Sequence, residues 1–289
     1  MATTVTKAFD ELLANLRLTE YEESMAAGRV RNVQKILTES YTCAQNPWAI
    51  GSYGRQTLVR WKRDIDMMVA FGDVYWPTYQ YDSRSFLYAV RNVLNKAYGN
   101  TDVSSKQVAV RMLLTGGLQV DLVPTFVCAS GGFYMPDGRK GWKKTNPPYH
   151  DTLMTDANVR LGSKLKPVVR LMKAWNHVNG RHLHSFHLEM VVERMWRNAT
   201  ALPATPAALC ESLRAASSWV ASSLADPWTG SSEMLDAYLN ADERALTVRL
   251  LKEDAARAKD ALKLAEDGEM VKAFERWNVV FNKQFPAYG

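Results

Sequence analysis

Residues 51–69 read GSYGRQTLVRWKRDIDMMV, and the fold of the whole chain depends on this stretch. It begins with a Gly-Ser pair typical of a turn and ends with Asp64-Ile65-Asp66 ahead of an apolar run. Because residues i and i+2 of a β-strand point to the same face, Asp64 and Asp66 would present two carboxylates at one place, with Ile65 in the core. Adjacent carboxylates repel unless a cation lies between them, and Mg²⁺ prefers oxygen ligands that it shares with phosphates. The pattern therefore predicts a divalent-metal site, although D-x-D alone also fits an exposed strand edge.

A third acid, Asp121, lies in the sequence LQVDLVPTF. Residues 108–114 and 118–126 read as two strands that are joined by a Thr-Gly-Gly turn. An aspartate with apolar neighbours would be costly to bury without a partner. Two interpretations stay open: a salt bridge, for instance with Arg111 across the hairpin, or the third ligand of a two-metal site.

These residues resemble a known pattern. A Gly-Ser turn, a D-x-D strand and a lone Asp on a neighbouring strand are typical of nucleotidyltransferases of the polymerase-β type. Over roughly residues 5–286 the chain resembles the bacterial cGAS/DncV-like nucleotidyltransferases (CD-NTases), relatives of cyclic GMP-AMP synthase and oligoadenylate synthase. The closing sequence AFERWNVVFNKQFP, residues 273–286, is similar to the end of these proteins.

The resemblance implies an α+β fold in two lobes. Residues 1–156 would form a polymerase-β-like nucleotidyltransferase lobe with a mixed sheet and N-terminal bracing helices. Residues 157–289 would form a helical lobe that clamps nucleotides, with the active site in the cleft. The implied activity is synthesis of a cyclic di- or trinucleotide second messenger from NTPs, with release of pyrophosphate, in antiphage signalling.

The resemblance also assigns roles to the residues of the central stretch. Asp64 and Asp66 would be catalytic and would bridge two Mg²⁺ or Mn²⁺ ions, and Asp121 would hold the ion that lowers the pKa of the acceptor hydroxyl. Gly51 would let the backbone approach the NTP triphosphate closely, and Ser52 would offer it a hydroxyl. No protein nucleophile is required by this chemistry.

Three residues of the C-terminal half match nucleotide-binding positions of the family. Lys173 in LMKAW resembles a lysine that contacts phosphate, although it also reads as a solvated helix lysine. Ser185 in HSFHLE resembles a serine that bonds the triphosphate, although a serine at a helix start is commonly an N-cap. Phe186 replaces an aromatic residue, often Tyr, that stacks on a base, and it also fits a core position.

Other candidate residues rest on weaker grounds. Arg55 is a candidate for phosphate contact, and Asn158 is a candidate for reading a base edge. Arg60, Lys62 and Arg63 either line the nucleotide entrance or form a solvated basic turn. The five histidines fit surface or packing positions better than a metal site, because no flanking ligands accompany them.

The composition is that of an ordinary globular protein. The 289 residues are 47% hydrophobic and 23% charged, with a net charge of +6. Three dispersed cysteines suggest neither a disulfide framework nor a zinc site, and no signal peptide or membrane span is evident, so we expect a cytoplasmic protein without membrane contact. The charge suits anionic substrates, but its modest and scattered excess predicts no strong nucleic-acid binding.

Two partners follow from the resemblance. The product would activate a downstream cyclic-nucleotide-dependent effector. Gly289 would lie on an exposed tail, and some relatives are conjugated through a C-terminal Gly or Ala. The alternative is an ordinary chain end.

Two other classes of function remain open. A template-independent linear polymerase, similar to oligoadenylate synthase, would use the same three acids but would need an extended RNA-binding surface. A nucleotide or nucleic-acid binding protein without turnover would not need the acids at all. A sensor of double-stranded nucleic acid is disfavoured, because the sequence has no Cys/His zinc insertion.

Hydrophobic periodicity predicts helices and loops elsewhere. Helices are expected at residues 5–17, 19–39 and 83–98, with the second leading directly into the Gly-Ser turn. Residues 76–78 are expected as a loop, and residues 219–240 are expected to include a loop at residues 227–232. Residues 127–156 are expected as a long connection with a short Trp-containing hairpin. The rest is predicted as helices that begin after Asn158 and are interrupted at Gly180 and Gly268.

Overall fold

A computed structural model describes residues 2–61, 64–99 and 102–289, apart from the side chain of Val103. These residues form two compact units. The sheet unit comprises Leu18–Gln56 and Lys62–Thr152, and the helical unit comprises Met1–Arg17, Thr57–Trp61 and Leu153–Gly289. The predicted α+β fold is confirmed.

The sheet unit is built on a mixed sheet. Its strands are β1 (Cys43–Ile50), β2 (Asp64–Phe71), β3 (Asp102–Ser105), β4 (Val110–Leu114), β5 (Leu118–Val127), β6 (Phe133–Pro136) and β7 (Trp142–Thr145). The order is β1-β2-β5-β4-β3, and β6 pairs with both β5 and β7. Strands β2 and β5 are parallel, whereas the other pairs of this sheet are antiparallel.

Strand β2 shows the alternation that its sequence predicts. Ile65 and Met67 are fully buried in the core beneath the helices α2 (Glu20–Ser40) and α5 (Ser83–Ala97). Met68 and the alternate positions point to the opposite face, where they join a smaller cluster. Asp64 and Asp66 therefore lie on the face away from α2 and α5. The predicted bracing role of the second helix is confirmed by its packing against this sheet.

Three connections differ from the prediction. The second helix does not lead directly to Gly51, because the edge strand β1 intervenes. Its sequence CAQNPWAI contains Pro47, which an edge strand or a bulge tolerates. The short strand β3 was not predicted either. The Trp76 region, expected as a loop, forms a 3-10 turn (Asp73–Tyr75) and the single-turn helix α4 (Trp76–Tyr79). The predicted hairpin with Trp142 is confirmed as β6–β7.

The helical unit contains a continuous apolar core. Its helices are α1 (Val5–Leu16), α6 (Pro147–Arg160), α7 (Leu165–Val178), α8 (Ser185–Trp196), α9 (Thr205–Ala221), α10 (Ala241–Glu266) and α11 (Met270–Val280). The first residues of α6, up to Thr152, and the whole turn α3 (Gly51–Gly54) are grouped with the sheet unit. The predicted loop at residues 227–232 overlaps the turn of a small hairpin, in which β8 (Ala225–Asp226) pairs with β9 (Gly230–Met234).

The first and last helices pack together within the helical unit. The ring of Phe9 on α1 meets Trp277 on α11 edge-on at 4.8 Å between centroids. Near the chain ends, Ala2 forms a parallel bridge with Tyr288, and the exposed Gly289 donates its N–H to the carbonyl of Ala2 at 3.3 Å. Helix α1 thus belongs with the C-terminal helices, whereas the sequence grouped it with residues 1–156.

Candidate active site

The three predicted acids lie in one row across neighbouring strands. Asp66 of β2 pairs in parallel register with Asp121 of β5, and Asp64 pairs with Gln119. Register partners share a face of a sheet, so all three carboxylates are on the same face. Each of these aspartates is half-buried, so its oxygens are within reach of a ligand.

Asp121 is held by Arg111, its direct cross-strand neighbour on β4. The guanidinium donates from Nε to Oδ1 at 2.8 Å and from Nη2 to Oδ2 at 2.6 Å. The amide of Gln119 adds a third bond to Oδ2 at 3.2 Å. Of the two interpretations of Asp121, the salt bridge is therefore present in this structure.

The three carboxylates change the pKa of Arg111. Its hydrogen bonds to Asp121 raise that pKa above the ordinary value, and partial burial opposes the rise. The charges of Asp121, Asp64 and Asp66 raise it further. The charge of this one guanidinium thus interacts with the charges of all three carboxylates.

The donor chemistry of this face fits a divalent metal ion. Asp64 and Asp66 supply hard oxygen ligands from one strand, and Asp121 supplies a third carboxylate from the next strand. In the part of the chain that the structure describes, no group of three or more His, Cys, Asp or Glu side chains is arranged to hold a metal ion. Both oxygens of Asp121 face Arg111 instead.

The turn at Gly51 lies against one of these carboxylates, that of Asp66. Gly51 has φ +64°, and a β-carbon built on it would lie 2.2 Å from Oδ2 of Asp66. Only glycine combines this backbone with such an approach. Ser52 follows in α3 and is buried, with 7% of its surface exposed. The structure thus shows a close approach of Gly51 to Asp66, whereas its approach to an NTP triphosphate stays a prediction.

Arg55 lies at the end of the same turn but points elsewhere. It is only 5% exposed, and its Nη1 forms an ion pair with Oδ1 of Asp151 at 3.2 Å. A buried arginine that pairs with a carboxylate of its own unit stabilises the turn. The predicted contact of Arg55 with phosphate stays a prediction.

Lys173 of α7 is buried in the helical unit. Its ammonium forms an ion pair with the fully buried Glu189 of α8 and donates to Thr57, to the carbonyl at 3.0 Å and to the hydroxyl at 3.1 Å. These three contacts match the three N–H donors of an ammonium. Lys173 is thus not a solvated lysine. Its contact with phosphate stays a prediction, and it would require one of these bonds to exchange.

Ser185 and Phe186 begin α8, and both are half-buried. The predicted N-cap at Ser185 is shifted by one residue, because the N-cap position is His184. The backbone N–H of His184 donates to the hydroxyl of Tyr238 at 2.8 Å, and the two rings stack at 3.6 Å. Tyr238 therefore fixes the start of the helix that carries Ser185 and Phe186.

His187 completes this arrangement from inside the helix. Its Nδ1 lies 3.0 Å from the Tyr238 hydroxyl, and its Nε2 has no hydrogen-bond partner among the described residues. Burial lowers the pKa of His187 to about 4; the charge of Asp236 opposes the shift, and those of Arg244 and His184 add to it. His187 is therefore a neutral packing residue, as predicted for the histidines.

The remaining candidates lie at other places. Asn158 is buried, and its Oδ1 accepts the backbone N–H of Lys166 at 3.0 Å, so that oxygen joins the end of α6 to the start of α7. Its predicted role in base selection stays a prediction. Arg60 is exposed, and its backbone N–H binds the carbonyl of Leu16 at 2.9 Å. Lys62 and Arg63 lie outside the described residues.

Comparisons with known proteins place the chain in a family. The sequence model of the Second Messenger Oligonucleotide or Dinucleotide Synthetase domain (SMODS) matches residues 3–158, more than half of the chain. The chain belongs to the SMODS family. It is accordingly a nucleotidyltransferase of the cyclic oligonucleotide synthase class, the CD-NTases, as its motifs predicted.

Individual relatives of this SMODS protein agree in sequence and fold. A cyclic AMP-AMP-AMP synthase of Acinetobacter sp. is 27% identical over 98% of this chain and 86% of that protein. The structure of E. coli MS115-1 CdnC with ATP has a TM-score of 0.79 at 16% identity, covering 98% of this chain and 99% of that one. Bradyrhizobium diazoefficiens CdnG with GTP has a TM-score of 0.72 at 12% identity, covering 96% of each chain. These structures share the fold.

The SMODS match does not extend through α7 and α8, where Lys173 and Ser185 lie. Among the residues described, no helix of this SMODS protein is both long enough and apolar enough to span a bilayer.

Sequence reasoning missed several residues that contact the candidate site residues or their neighbours. Gln119 had a readable signal, since it lies two positions before Asp121 and thus on the same face of β5. Thr57, Glu189 and Tyr238 had none, because their partners lie far away in sequence or on another element.

Proposed function

We propose that this enzyme joins NTPs into a cyclic di- or trinucleotide second messenger and releases pyrophosphate. The observation that carries the proposal is the row formed by Asp64, Asp66 and Asp121 on one face of two parallel strands, with Gly51 against Asp66. Family membership supports the cyclic product. The adenine-only name of the Acinetobacter relative favours adenine bases and a ring of three.

Each acid of the row would have its own role in nucleotidyl transfer. Asp64 and Asp66 would hold two divalent ions, Mg²⁺ or Mn²⁺, and Asp121 would hold the one beside the acceptor hydroxyl. When bound, such ions lower the pKa of the attacking hydroxyl and neutralise the departing pyrophosphate. Gly51 keeps the turn close to Asp66, and Ser52 would place a hydroxyl toward the triphosphate.

The residues at the start of α8 would hold the nucleotide. Ser185 would bond a phosphate oxygen, and Phe186 would offer a ring to a base. Support comes from their half-buried positions and from the anchoring of His184 by Tyr238, which gives the helix start a fixed position. Lys173 would act on this place indirectly, by holding Glu189 of the same helix.

The signalling role is part of the same proposal. A cyclic nucleotide product would activate a separate effector in antiphage defence, as the resemblance implies. Protein partners are also to be expected, since a structure of the related CdnC was solved as a complex with a HORMA protein. Conjugation through Gly289 remains a prediction.

Product analysis tests the proposal directly. Purified protein is incubated with all four NTPs and Mg²⁺ or Mn²⁺, and the products are analysed by mass spectrometry with and without phosphatase. A phosphatase-resistant cyclic product would support the proposal and would identify the bases and ring size. A ladder of linear products would favour the template-independent polymerase instead.

Matched variants separate the chemistry from the fold. Asp64→Ala and Asp66→Ala should each abolish product while the melting temperature stays near that of the unmodified protein, since they remove half-buried charge and no core. Normal product from either variant would refute the assignment. Asp73→Ala, an exposed aspartate of the same unit, should leave product formation unchanged.

A further inference from the structure

Arg111 and Asp121 are matched atom for atom. They are direct cross-strand neighbours, and both carboxylate oxygens accept from the guanidinium, at 2.8 and 2.6 Å. Such a two-bond pair between arginine and a carboxylate is among the stronger charged interactions in proteins. The oxygens that it uses are those that a metal ion would need.

The other buried cations near predicted site residues differ from Arg111 in exposure. The side chains of Arg55 and Lys173 are 5% and 4% exposed, and each is fixed in a buried pair. The Arg111 side chain is 32% exposed. At this exposure the guanidinium can turn into water, but the Asp121 side chain is only 15% exposed and needs another cation in its place. Arg111 can therefore leave Asp121 when a bound metal ion replaces its charge.

The row of acids needs a cation in the absence of metal. Asp66 and Asp121 are register partners on adjacent strands, and like charges placed opposite each other destabilise a sheet. Arg111 supplies the positive charge at the next position of the same row.

We propose that Arg111 is a positioning residue that holds Asp121 in the metal-free enzyme and competes with the divalent ion for it. Arg111 keeps the Asp121 carboxylate on the catalytic face and offsets the repulsion of the row. It releases at least one Asp121 oxygen when the ion is bound. The inference rests on the proposed two-metal function.

The competing explanation is an ordinary cross-strand pair that stabilises β4 against β5. The two explanations differ in how the pair responds to metal. A structural pair contributes equally with and without the ion. A competing pair is lost when the ion binds, so removal of Arg111 strengthens metal binding.

Mn²⁺ binding to the full chain without NTP tests the inference. Arg111→Gln keeps a hydrogen-bond donor and removes the charge. We expect it to tighten the Mn²⁺ dissociation constant, measured by electron paramagnetic resonance, about three- to tenfold. In EDTA the melting temperature of the variant should be lower than that of the unmodified protein, and saturating Mn²⁺ should remove most of this difference. Lys35→Gln removes one charge from an exposed pair and should change neither quantity.

The outcomes separate the inference from the function. Equal Mn²⁺ affinity in the two proteins, with the same melting-temperature loss in EDTA and in Mn²⁺, would overturn the inference alone. Absence of Mn²⁺ binding in both proteins would overturn the inference and the proposed metal site together. Should Arg111→Gln fail to fold, Arg111→Lys, with a single ammonium in place of the fork, should show the same tightening to a smaller extent.

A double variant isolates the route of the effect. In an Asp121→Asn background the carboxylate that Arg111 and the ion share is gone. Adding Arg111→Gln should then leave Mn²⁺ affinity unchanged. A tightening as large as in the unmodified protein would mean that Arg111 acts through general charge, and it would overturn the competition for Asp121.

Discussion

A β-carbon on Gly51 would lie 2.2 Å from Oδ2 of Asp66, so the turn and this carboxylate are in contact with no room for a methyl group. The carboxylate belongs to a strand whose other face is packed under α2 and α5. Any side chain at Gly51 must therefore move the carboxylate, the turn or both.

Gly51→Ala should consequently damage turnover more than stability. The left-handed backbone costs a non-glycine residue roughly 1–2 kcal/mol, and a displaced carboxylate costs about a hundredfold in rate. Gly268→Ala is the matched control: it also has positive φ, but a β-carbon added there would meet nothing within 4 Å. Both variants should lose similar melting temperature, and only Gly51→Ala should lose activity. Full activity in Gly51→Ala would contradict the close fit.

Lys173→Met should act on the fold of the helical unit before it acts on nucleotide binding. It leaves Glu189 fully buried without its cation, which costs about 3–5 kcal/mol in urea unfolding. Combining it with Glu189→Leu should recover much of this loss. Lys35→Met, in a pair that is mostly exposed, should cost less than about 1 kcal/mol. A raised KM for NTP with unchanged stability would instead restore the phosphate contact that the sequence suggested.

His187 should make the protein sensitive to mild acid. Its pKa is lowered to about 4 in the folded protein, below the ordinary 6.5, so the unfolded chain binds the extra proton first. The stabilising contribution is complete above pH 6.5 and is lost as the pH falls toward 4, by at most about 3 kcal/mol. Thermal unfolding of His187→Gln should show a flatter pH profile in this window. An identical profile in the variant would refute the assignment, and His182→Gln serves as control.

Tyr238→Phe should weaken nucleotide binding without removing the stacked ring. The lost hydroxyl frees the N–H of His184 and the position of Ser185, and we expect KM for NTP to rise about three- to tenfold with little change in kcat. Tyr81→Phe, at an 84% exposed position, should leave both constants unchanged. A lower melting temperature with unaltered KM would reduce Tyr238 to a structural role.

The sequence was sufficient to predict features that depend on a local pattern, such as which face of a strand is buried. The alternation Asp64-Ile65-Asp66 predicted which side chains enter the core, and the hairpin pattern placed Asp121 on a neighbouring strand. The edge strand β1 was missed because its sequence CAQNPWAI does not alternate between apolar and polar residues and contains a proline.

Contacts between distant segments could not be predicted. Lys173 reads as a helix lysine because its partner Thr57 lies 116 positions away, and nothing local marks Glu189 as the buried counter-ion. Arg55 likewise finds Asp151, 96 positions further on. In both cases a partner that is distant in sequence holds the basic side chain in a buried position, and the sequence alone does not show that partner.

The packing of Phe9 against Trp277 sets an order on folding during synthesis. Helix α1 is synthesised before its partner α11. It also packs against α7 and α9, but the part of its apolar face that packs against α11 is covered only after α11 has been made. The sheet unit, whose last residue is Thr152, can fold earlier. A chaperone that shields α1 on the nascent chain would raise the yield of active enzyme, and a chain stalled before α11 would be a preferred target of proteases.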